Sequence, residues 1–251
     1  MRSLFLILTL FLLSGCVTQT PVTNRSQLIL ISQDEEMKLG ESSYKEFLSK
    51  AKISKDATQT ARVKAIGARI AKAANWVDFK WEFNLVEDDQ VNAFCLPGGK
   101  VIVYSGILKV AKNDDQLATV MSHEVSHALA RHGAERMSYQ QLSNLLQGVG
   151  NAVVAQNAPQ YTNAFNVAYG YTAQLGVMLP YSRDHEYEAD EIGIYLMHKA
   201  GYDMHEAVKF WKNMKKLKGG KSPAEFLSTH PSDTHRIERI EKIVREIDAK
   251  G

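Results

Sequence analysis

A His-Glu-x-x-His pattern constrains this chain more than any other feature, with His123, Glu124 and His127 at the required spacing. On an α-helix, residues four positions apart lie on one face, so the two imidazoles can point at a common centre. Two neutral imidazoles at this spacing suit a zinc ion, and the intervening carboxylate is placed to polarise a metal-bound water. The alternative interpretation is a chance match on an ordinary helix.

The residues around this pattern predict a buried helix. Between Asp115 and Arg131, the two histidines and Glu124 are the only ionisable side chains. A helix that is apolar on all sides is typical of a protein core. Asn113 or one of the two acids after it can cap the start of the helix, and Gly133 can end it. A buried carboxylate without a partner is costly, and a nearby divalent cation would remove that cost, which favours the metal interpretation.

The acidic segment at residues 182–191 supplies candidates for a third ligand, because a catalytic zinc takes three protein ligands and one open position. At about 100° per residue, Glu186 and Asp190 share the apolar face of the predicted helix. We predict that Glu186 is the third ligand and that Asp190 accepts the far N–H of a zinc-bound histidine. The alternative is an internal salt bridge with Arg183 or Arg131. The remaining acids cluster on the opposite, solvated face: Asp184, Glu188 and Glu191.

The two motifs, in this order, resemble those of the HtpX and CAAX prenyl endopeptidase family of zinc metallopeptidases, which includes the mitochondrial overlapping-activity protease. Residues 92–106 resemble the segment before that family's active-site helix, and residues 228–232 with Arg236 resemble its C-terminal motif. Residues 24–28 with Gly40 resemble the start of its periplasmic lipoprotein branch. The resemblance implies a mostly α, α+β, zincin-like fold with a small three-stranded sheet beside the active-site helix.

The resemblance also implies the chemistry of the site. One Zn²⁺ per chain would be held by His123, His127 and Glu186, and Glu124 would act as general base in peptide hydrolysis. In the family, a histidine matching His230 lies near the metal. It could stabilise the developing oxyanion, occupy the open zinc position in a resting form, or be purely structural. Arg236 could anchor the same loop by pairing with a carboxylate such as Asp190.

Alternating patterns predict three strands before the metal helix, at residues 81–86, 91–96 and 100–104. The resemblance implies that the edge strand lies beside the cleft, where a peptide substrate could add as a further strand. For the valines of the third predicted strand, the alternative interpretation is that they simply pack in the core. The candidate substrate-binding residues are Asn92, Ala93, Val101 and Val103.

Residues 1–15 predict a lipoprotein signal peptide, because a positive charge precedes an apolar run that is shorter than the about 20 residues of a membrane span. Residues 13–16 resemble a bacterial lipobox, which implies lipidation of Cys16. The alternative is an ordinary secretory signal. Because Val17 rather than aspartate follows the cysteine, the resemblance implies a periplasm-facing lipoprotein of the outer membrane.

Charge and hydropathy exclude other classes. The chain has 251 residues and a net charge of +2, which offers no basic field for nucleic acid. No later stretch reaches about 18 uninterrupted apolar residues, so we predict an anchored protein that does not span the membrane. This disfavours a CAAX-type endopeptidase acting on lipidated peptides. We predict a lipidated tether at residues 16–32 and one zinc metallopeptidase domain at residues 33–251.

The predicted function is a zinc-dependent endopeptidase of the bacterial cell envelope that cleaves misfolded or unassembled proteins. The alternative is a chaperone-like or assembly factor for outer-membrane proteins, with a latched zinc site and envelope assembly machinery as its partner. Residues 137–181 are read either as a mobile cover or protein-contact surface, or as a loosely packed helical hairpin. Four residues are expected to interrupt helices there: Gly148, Gly150, Pro159 and Gly170.

Overall fold

The computed structural model describes residues 17–174, 179–217, 230 and 234–250. The predicted signal peptide and Cys16 lie outside the described residues, as do the neighbours of His230 in the C-terminal motif. The helices are α1 Gln33–Lys50, α2 Ala57–Ala74, α3 Asp114–Leu129, α4 His132–Asn157, α5 Thr162–Ala173, α6 Leu179–Lys199, α7 His205–Leu217 and α8 Thr234–Asp248, with 3-10 turns at Ser105–Lys109 and Pro159–Tyr161. Within the described residues, no helix is long and apolar enough to cross a bilayer.

Two small sheets accompany these helices, which confirms the predicted α+β, mostly α, fold class. Strands β1 Val17–Gln19 and β2 Ser26–Leu28 pair as an antiparallel hairpin. Strands β3 Glu82–Val86, β4 Ala93–Leu96 and β5 Lys100–Tyr104 form the predicted three-stranded sheet, in the order β3-β5-β4. Strand β5 runs parallel to β3 and antiparallel to β4. The last strand in sequence is therefore the central one, and β4 lies at an edge.

Helix α3 lies in the core, as its apolar sequence predicts. The side chain of Asn113 caps its start by accepting from the backbone N–H of Gln116 at 2.8 Å. Helix α3 packs most extensively against α6. Gly193 of α6 permits this close approach, since a Cβ there would lie 3.2 Å from the backbone nitrogen of His123. The two helices that carry the predicted ligands are thus held side by side.

The end of α3 differs from the prediction. The helix stops at Leu129, and the turn is made by Arg131, whose φ of 54° lies in the left-handed region. Gly133, the predicted terminator, lies inside α4. The side chain of Arg131 donates to Glu36 at 2.6 Å, and this contact helps to hold a conformation that a non-glycine residue seldom adopts. The turn places His132 directly behind the end of α3.

Within the segment predicted as a lipidated tether, residues 17–28 form a folded hairpin. The hairpin β1–β2 packs on the body of the protein, with Thr20 and Gln27 almost completely buried. Just after β2, the backbone N–H of Leu30 donates to the hydroxyl of Ser138 on α4 at 2.8 Å. The residues that follow the predicted lipidation site are therefore part of the folded structure.

Helices α4 and α5 form a hairpin in the region that sequence left open. The prediction that Gly148, Gly150 and Gly170 interrupt a helix is wrong, because α4 continues through the first two to Asn157 and α5 continues through the third. The break comes at Pro159, as predicted. A Cβ at Gly150 would overlap the ring of Phe165, so glycine there lets α5 approach α4. Burial in α4 ends at Ser138, and α5 has no buried residue. A role for this hairpin as a cover or contact surface stays a prediction.

Candidate metal centre

Four side chains from three parts of the chain converge on one point. His123 and His127 come from α3, Glu186 comes from α6, and His230 lies at a bend that precedes α8 in the sequence. One nitrogen or oxygen of each lies within 4.8 Å of the others. His123 Nε2 lies 3.1 Å from His127 Nε2 and 3.4 Å from Glu186 Oε2. His230 Nδ1 lies 3.2 Å from His123 Nε2 and 3.0 Å from Glu186 Oε1.

These separations fit a tetrahedral metal site. Ligand bonds of about 2.0–2.1 Å to a tetrahedral zinc ion place neighbouring donor atoms about 3.3 Å apart. The donor separations above, together with the 3.3 Å between His127 Nε2 and Glu186 Oε1, match that value closely. Imidazole nitrogen and carboxylate oxygen are also the donors that zinc prefers when thiolates are absent. The donor chemistry and the geometry of the cluster therefore fit a metal site.

Glu124 is placed for a role beside the metal rather than on it. The residue is 2% exposed, and among the described residues no hydrogen bond reaches its Oε1 atom. His230 Nε2 lies 3.4 Å from that oxygen. Burial raises the pKa of Glu124 above its ordinary value, which suits a carboxylate that must accept a proton near neutral pH. A metal-bound water at this site would satisfy this buried oxygen.

The protonation states of two ligands also suit metal binding. Burial holds the pKa of His127 well below its ordinary range, so the ring is neutral and a nitrogen lone pair is free for a metal. Burial opposes ionisation of Glu186, but the guanidinium of Arg236 and bonds to both histidines hold the pKa of that carboxyl well below its usual range. Glu186 is therefore an anionic donor.

Asp190 and Arg236 contact the ligand cluster and each other. Asp190 Oδ1 lies 3.0 Å from His123 Nδ1, on the side of the ring away from the ligand cluster. Arg236 donates to both oxygens of Asp190, at 2.5 and 2.8 Å, and its Nη1 lies 2.9 Å from Glu186 Oε2. The guanidinium stacks on Trp211 at 3.6 Å. The acids thus pair with Arg236, rather than with the arginines first considered as alternatives.

Comparison with known proteins decides the family. Residues 57–244 match Peptidase family M48, a range that holds the whole ligand cluster. The chain belongs to peptidase family M48. This confirms the resemblance drawn from the motifs and makes the chain a metalloendopeptidase, as predicted.

Curated M48 relatives cover most of the chain. It is 34% identical to the mitochondrial metalloendopeptidase OMA1 of Schizosaccharomyces pombe over 235 residues, which is 92% of this chain and 67% of that protein. The OMA1 of Saccharomyces cerevisiae is also 34% identical, over 89% of this chain and 68% of that protein. The Beta-barrel assembly-enhancing protease of Escherichia coli is 31% identical over 82% of this chain, but only 43% of that protein is covered.

A cleft of about 310 Å³ opens beside the M48 metal centre. Its lining includes the edge strand β4 together with Glu124, His127, Glu186 and His230. The predicted substrate-binding residues Asn92 and Ala93 line this cleft. The prediction for two others is corrected, because Val101 and Val103 lie on the central strand β5 with fully buried side chains. They pack in the core, and the cleft meets the neighbouring strand instead.

Sequence reasoning missed a second group of side chains beside the M48 centre. Glu188 was predicted to be solvated, but it is 6% exposed, and its Oε2 lies 3.0 Å from His132 Nε2. His132 Nδ1 in turn lies 2.9 Å from His127 Nδ1. Burial lowers the pKa of His132 to about 4, so this ring is neutral. The available signal was the short spacing of His132 from the metal motif, together with the close sequence neighbours His185 and Glu188.

Proposed function

We propose that the chain is a zinc-dependent endopeptidase of the bacterial cell envelope, in which His123, His127 and Glu186 hold one Zn²⁺. The observation that best supports this proposal is that the donor atoms of these three residues are separated by nearly equal distances. When bound, zinc supplies Lewis-acid activation of a water molecule and of the scissile carbonyl. Glu124 takes the proton from the attacking water and passes it to the leaving amine.

Substrate polypeptides would enter the cleft along β4. Its position at the sheet edge allows an extended segment to pair through main-chain hydrogen bonds, which do not depend on the sequence of the substrate. Asn92 and Ala93 line the same cleft as Glu124 and the ligand cluster, so such a segment would pass beside both. This mode of binding suits an enzyme that acts on misfolded or unassembled proteins, which offer extended segments.

His230 would act as a latch in the resting enzyme. Its Nδ1 lies 3.2 Å from His123 Nε2 and 3.0 Å from Glu186 Oε1, close enough to the other donors to serve as a fourth ligand in the place of an attacking water. His230 lies at a bend outside the described helices, whereas the other three donors lie on α3 and α6, so its departure would not require either of those helices to unfold. Displacement of His230 would then open the fourth position.

The cell-envelope location rests on residues 1–16, whose pattern resembles a lipoprotein signal, and on similarity to the Beta-barrel assembly-enhancing protease of Escherichia coli. The same relative and the latch support a second candidate, an assembly factor for outer-membrane proteins that cleaves little. Complementation separates the two candidates. If a Glu124→Gln strain behaves as wild type, the assembly role is favoured, and if it behaves as a deletion, proteolysis is required.

The enzymatic proposal is tested by zinc content and cleavage in the full-length protein. Glu124→Gln is expected to keep one zinc per chain and to lose cleavage of an unfolded casein substrate, because the general base is gone. His127→Ala is expected to lose the metal. The matched control is Asp184→Asn, on the exposed face of α6, which should keep both. Undiminished cleavage by Glu124→Gln, or stoichiometric zinc in His127→Ala, would contradict the assignment.

A further inference from the structure

A continuous chain of hydrogen bonds runs from His127 to the N-terminal hairpin. The distances are 2.9 Å from His127 Nδ1 to His132 Nδ1 and 3.0 Å from His132 Nε2 to Glu188 Oε2. Glu188 is then held by three donors from the turn between β1 and β2. These donors are the hydroxyl of Thr20 at 2.6 Å, the hydroxyl of Thr23, and Nε of Arg25 at 2.7 Å.

The direction of every proton in this chain is fixed once His127 binds a metal. Its Nε2 faces the ligand cluster, so its Nδ1 carries the hydrogen and must donate. His132 Nδ1 is then the acceptor, which leaves the hydrogen of His132 on Nε2, where it donates to Glu188. Glu188 only accepts, as an ionised carboxylate should when a guanidinium and two hydroxyls surround it.

The ring of His132 has little freedom to turn away from His127. It is 3% exposed and stacks face to face on His185, with ring centroids 4.0 Å apart. His185 Nε2 lies 3.0 Å from Glu135 Oε2, and Glu135 also receives two hydrogen bonds from Arg25, at 2.9 and 2.7 Å. The hairpin therefore fixes His132 through two routes, one through Glu188 and one through Glu135 and His185.

We infer that His132 and Glu188 are positioning residues for the ligand His127, and that the hairpin residues Thr20, Thr23 and Arg25 complete this support. The inference rests on the proposed zinc site. Partners of this kind orient a ligand histidine and raise its basicity, and their loss typically lowers metal affinity about 10–100-fold. The segment that directly follows the predicted lipid anchor is thereby a working part of the metal centre, although it does not reach the cleft.

The competing interpretation is a buried ion-pair cluster that stabilises the fold and does nothing for the metal. The two interpretations predict different effects of the variants on zinc affinity. A purely structural cluster would lower the stability of the metal-free protein and leave the zinc dissociation constant of the folded protein unchanged. A positioning chain would raise that dissociation constant.

The test measures zinc dissociation constants of the full-length protein by competition with a chromophoric chelator, alongside circular dichroism. His132→Ala should weaken zinc binding about 10–100-fold. His132→Asn should recover part of the affinity, because its amide oxygen can accept from His127. The double variant Thr20→Val/Thr23→Val keeps side-chain volume, removes two donors to Glu188, and should weaken binding several-fold. Two controls should bind zinc as wild type does, His205→Ala and Thr18→Val, both at exposed positions.

Wild-type zinc affinity in folded His132→Ala and in the double threonine variant would overturn the inference. If His132→Ala does not fold, the isosteric threonine variant decides alone. It changes only contacts with Glu188 and leaves His132 and His127 in place. A wild-type protein that binds no zinc, or a His127→Ala variant that keeps it, would overturn the proposed function and this inference together. Zinc lost in His127→Ala but unchanged in the other variants would overturn the positioning role only.

Discussion

The guanidinium of Arg236 is the cation that keeps two buried carboxylates ionised behind the metal centre. It is 1% exposed, donates twice to Asp190, and pairs with Glu186 at 2.9 Å. Arg236→Met removes the charge but keeps an unbranched stem that can pack on Trp211. Loss of one partner from a buried ion pair costs about 3–5 kcal/mol, because the remaining charge is left without compensation.

The loss in free energy of unfolding caused by Arg236→Met should depend on whether zinc is bound. In the metal-free protein both carboxylates lose their cation, so the loss should lie near the top of that range, about 5 kcal/mol. With zinc bound, Glu186 faces the metal, and only Asp190 is left uncompensated, so the loss should fall to about 3 kcal/mol. With a urea dependence of about 3 kcal/mol per molar for a domain of this size, the unfolding midpoint should drop by about 1–2 M.

The assay is urea unfolding followed by circular dichroism, with excess chelator and with saturating zinc. The control is Arg239→Met on the exposed face of the same helix, where the guanidinium lies 4.6 Å from the ring of Tyr187. Its loss should be about 1 kcal/mol or less, since an exposed cation–π contact contributes little. Equal losses in the two variants, or a loss in Arg236→Met that zinc leaves unchanged, would refute the reasoning.

Three further outcomes are expected. Gly193→Ala should weaken zinc binding and lower the free energy of unfolding in urea by about 1–3 kcal/mol, because the new Cβ presses on the backbone of His123. The control Gly170→Ala has open space around the new Cβ and should change neither quantity. His230→Ala should raise kcat/KM for peptide hydrolysis several-fold if the latch is real, and a large fall would indicate an oxyanion role instead. The hydrogen bond from Lys209 lowers the pKa of Glu206 from 4.5 to about 2, so its contribution to stability is present above pH 4.5 and lost as pH falls towards 2. The stability difference between wild type and Glu206→Gln should shrink over that interval, and a constant difference would contradict the assignment.

The parts of the centre that sequence could predict are those set by local helical geometry. His123 and His127 are one turn apart on one helix, and Glu186 and Asp190 are one turn apart on another, so each pair shares a face whatever the rest of the chain does. That the two faces meet followed from their apolar surroundings. His230 lies outside these two helices, so only the resemblance to a family could suggest its position near the other ligands.

The errors came from contacts between elements that are distant in sequence. Alternation cannot tell a central strand from an edge strand, and the third strand of this sheet inserts between the first two, which buries Val101 and Val103. Gly150 reads as a helix breaker in isolation, but in the structure it makes room for Phe165. In both cases the residue type was set by a neighbour that local pattern does not reveal.

Contacts between distant elements also explain why Glu188 was wrongly assigned to solvent. They show that α6 supports the centre on more than one face. A helical projection assumes one inner face, but α6 is covered by α3 on one side and by the β1–β2 hairpin on another. Asp190 shares the face of Glu186 and reaches His123 directly, at 3.0 Å. Glu188 is rotated about 200° from Glu186, so it cannot reach His127 itself, and His132 must bridge the gap. One helix thus supplies a ligand and supports both histidines, and the left-handed turn at Arg131 is what makes the second support possible.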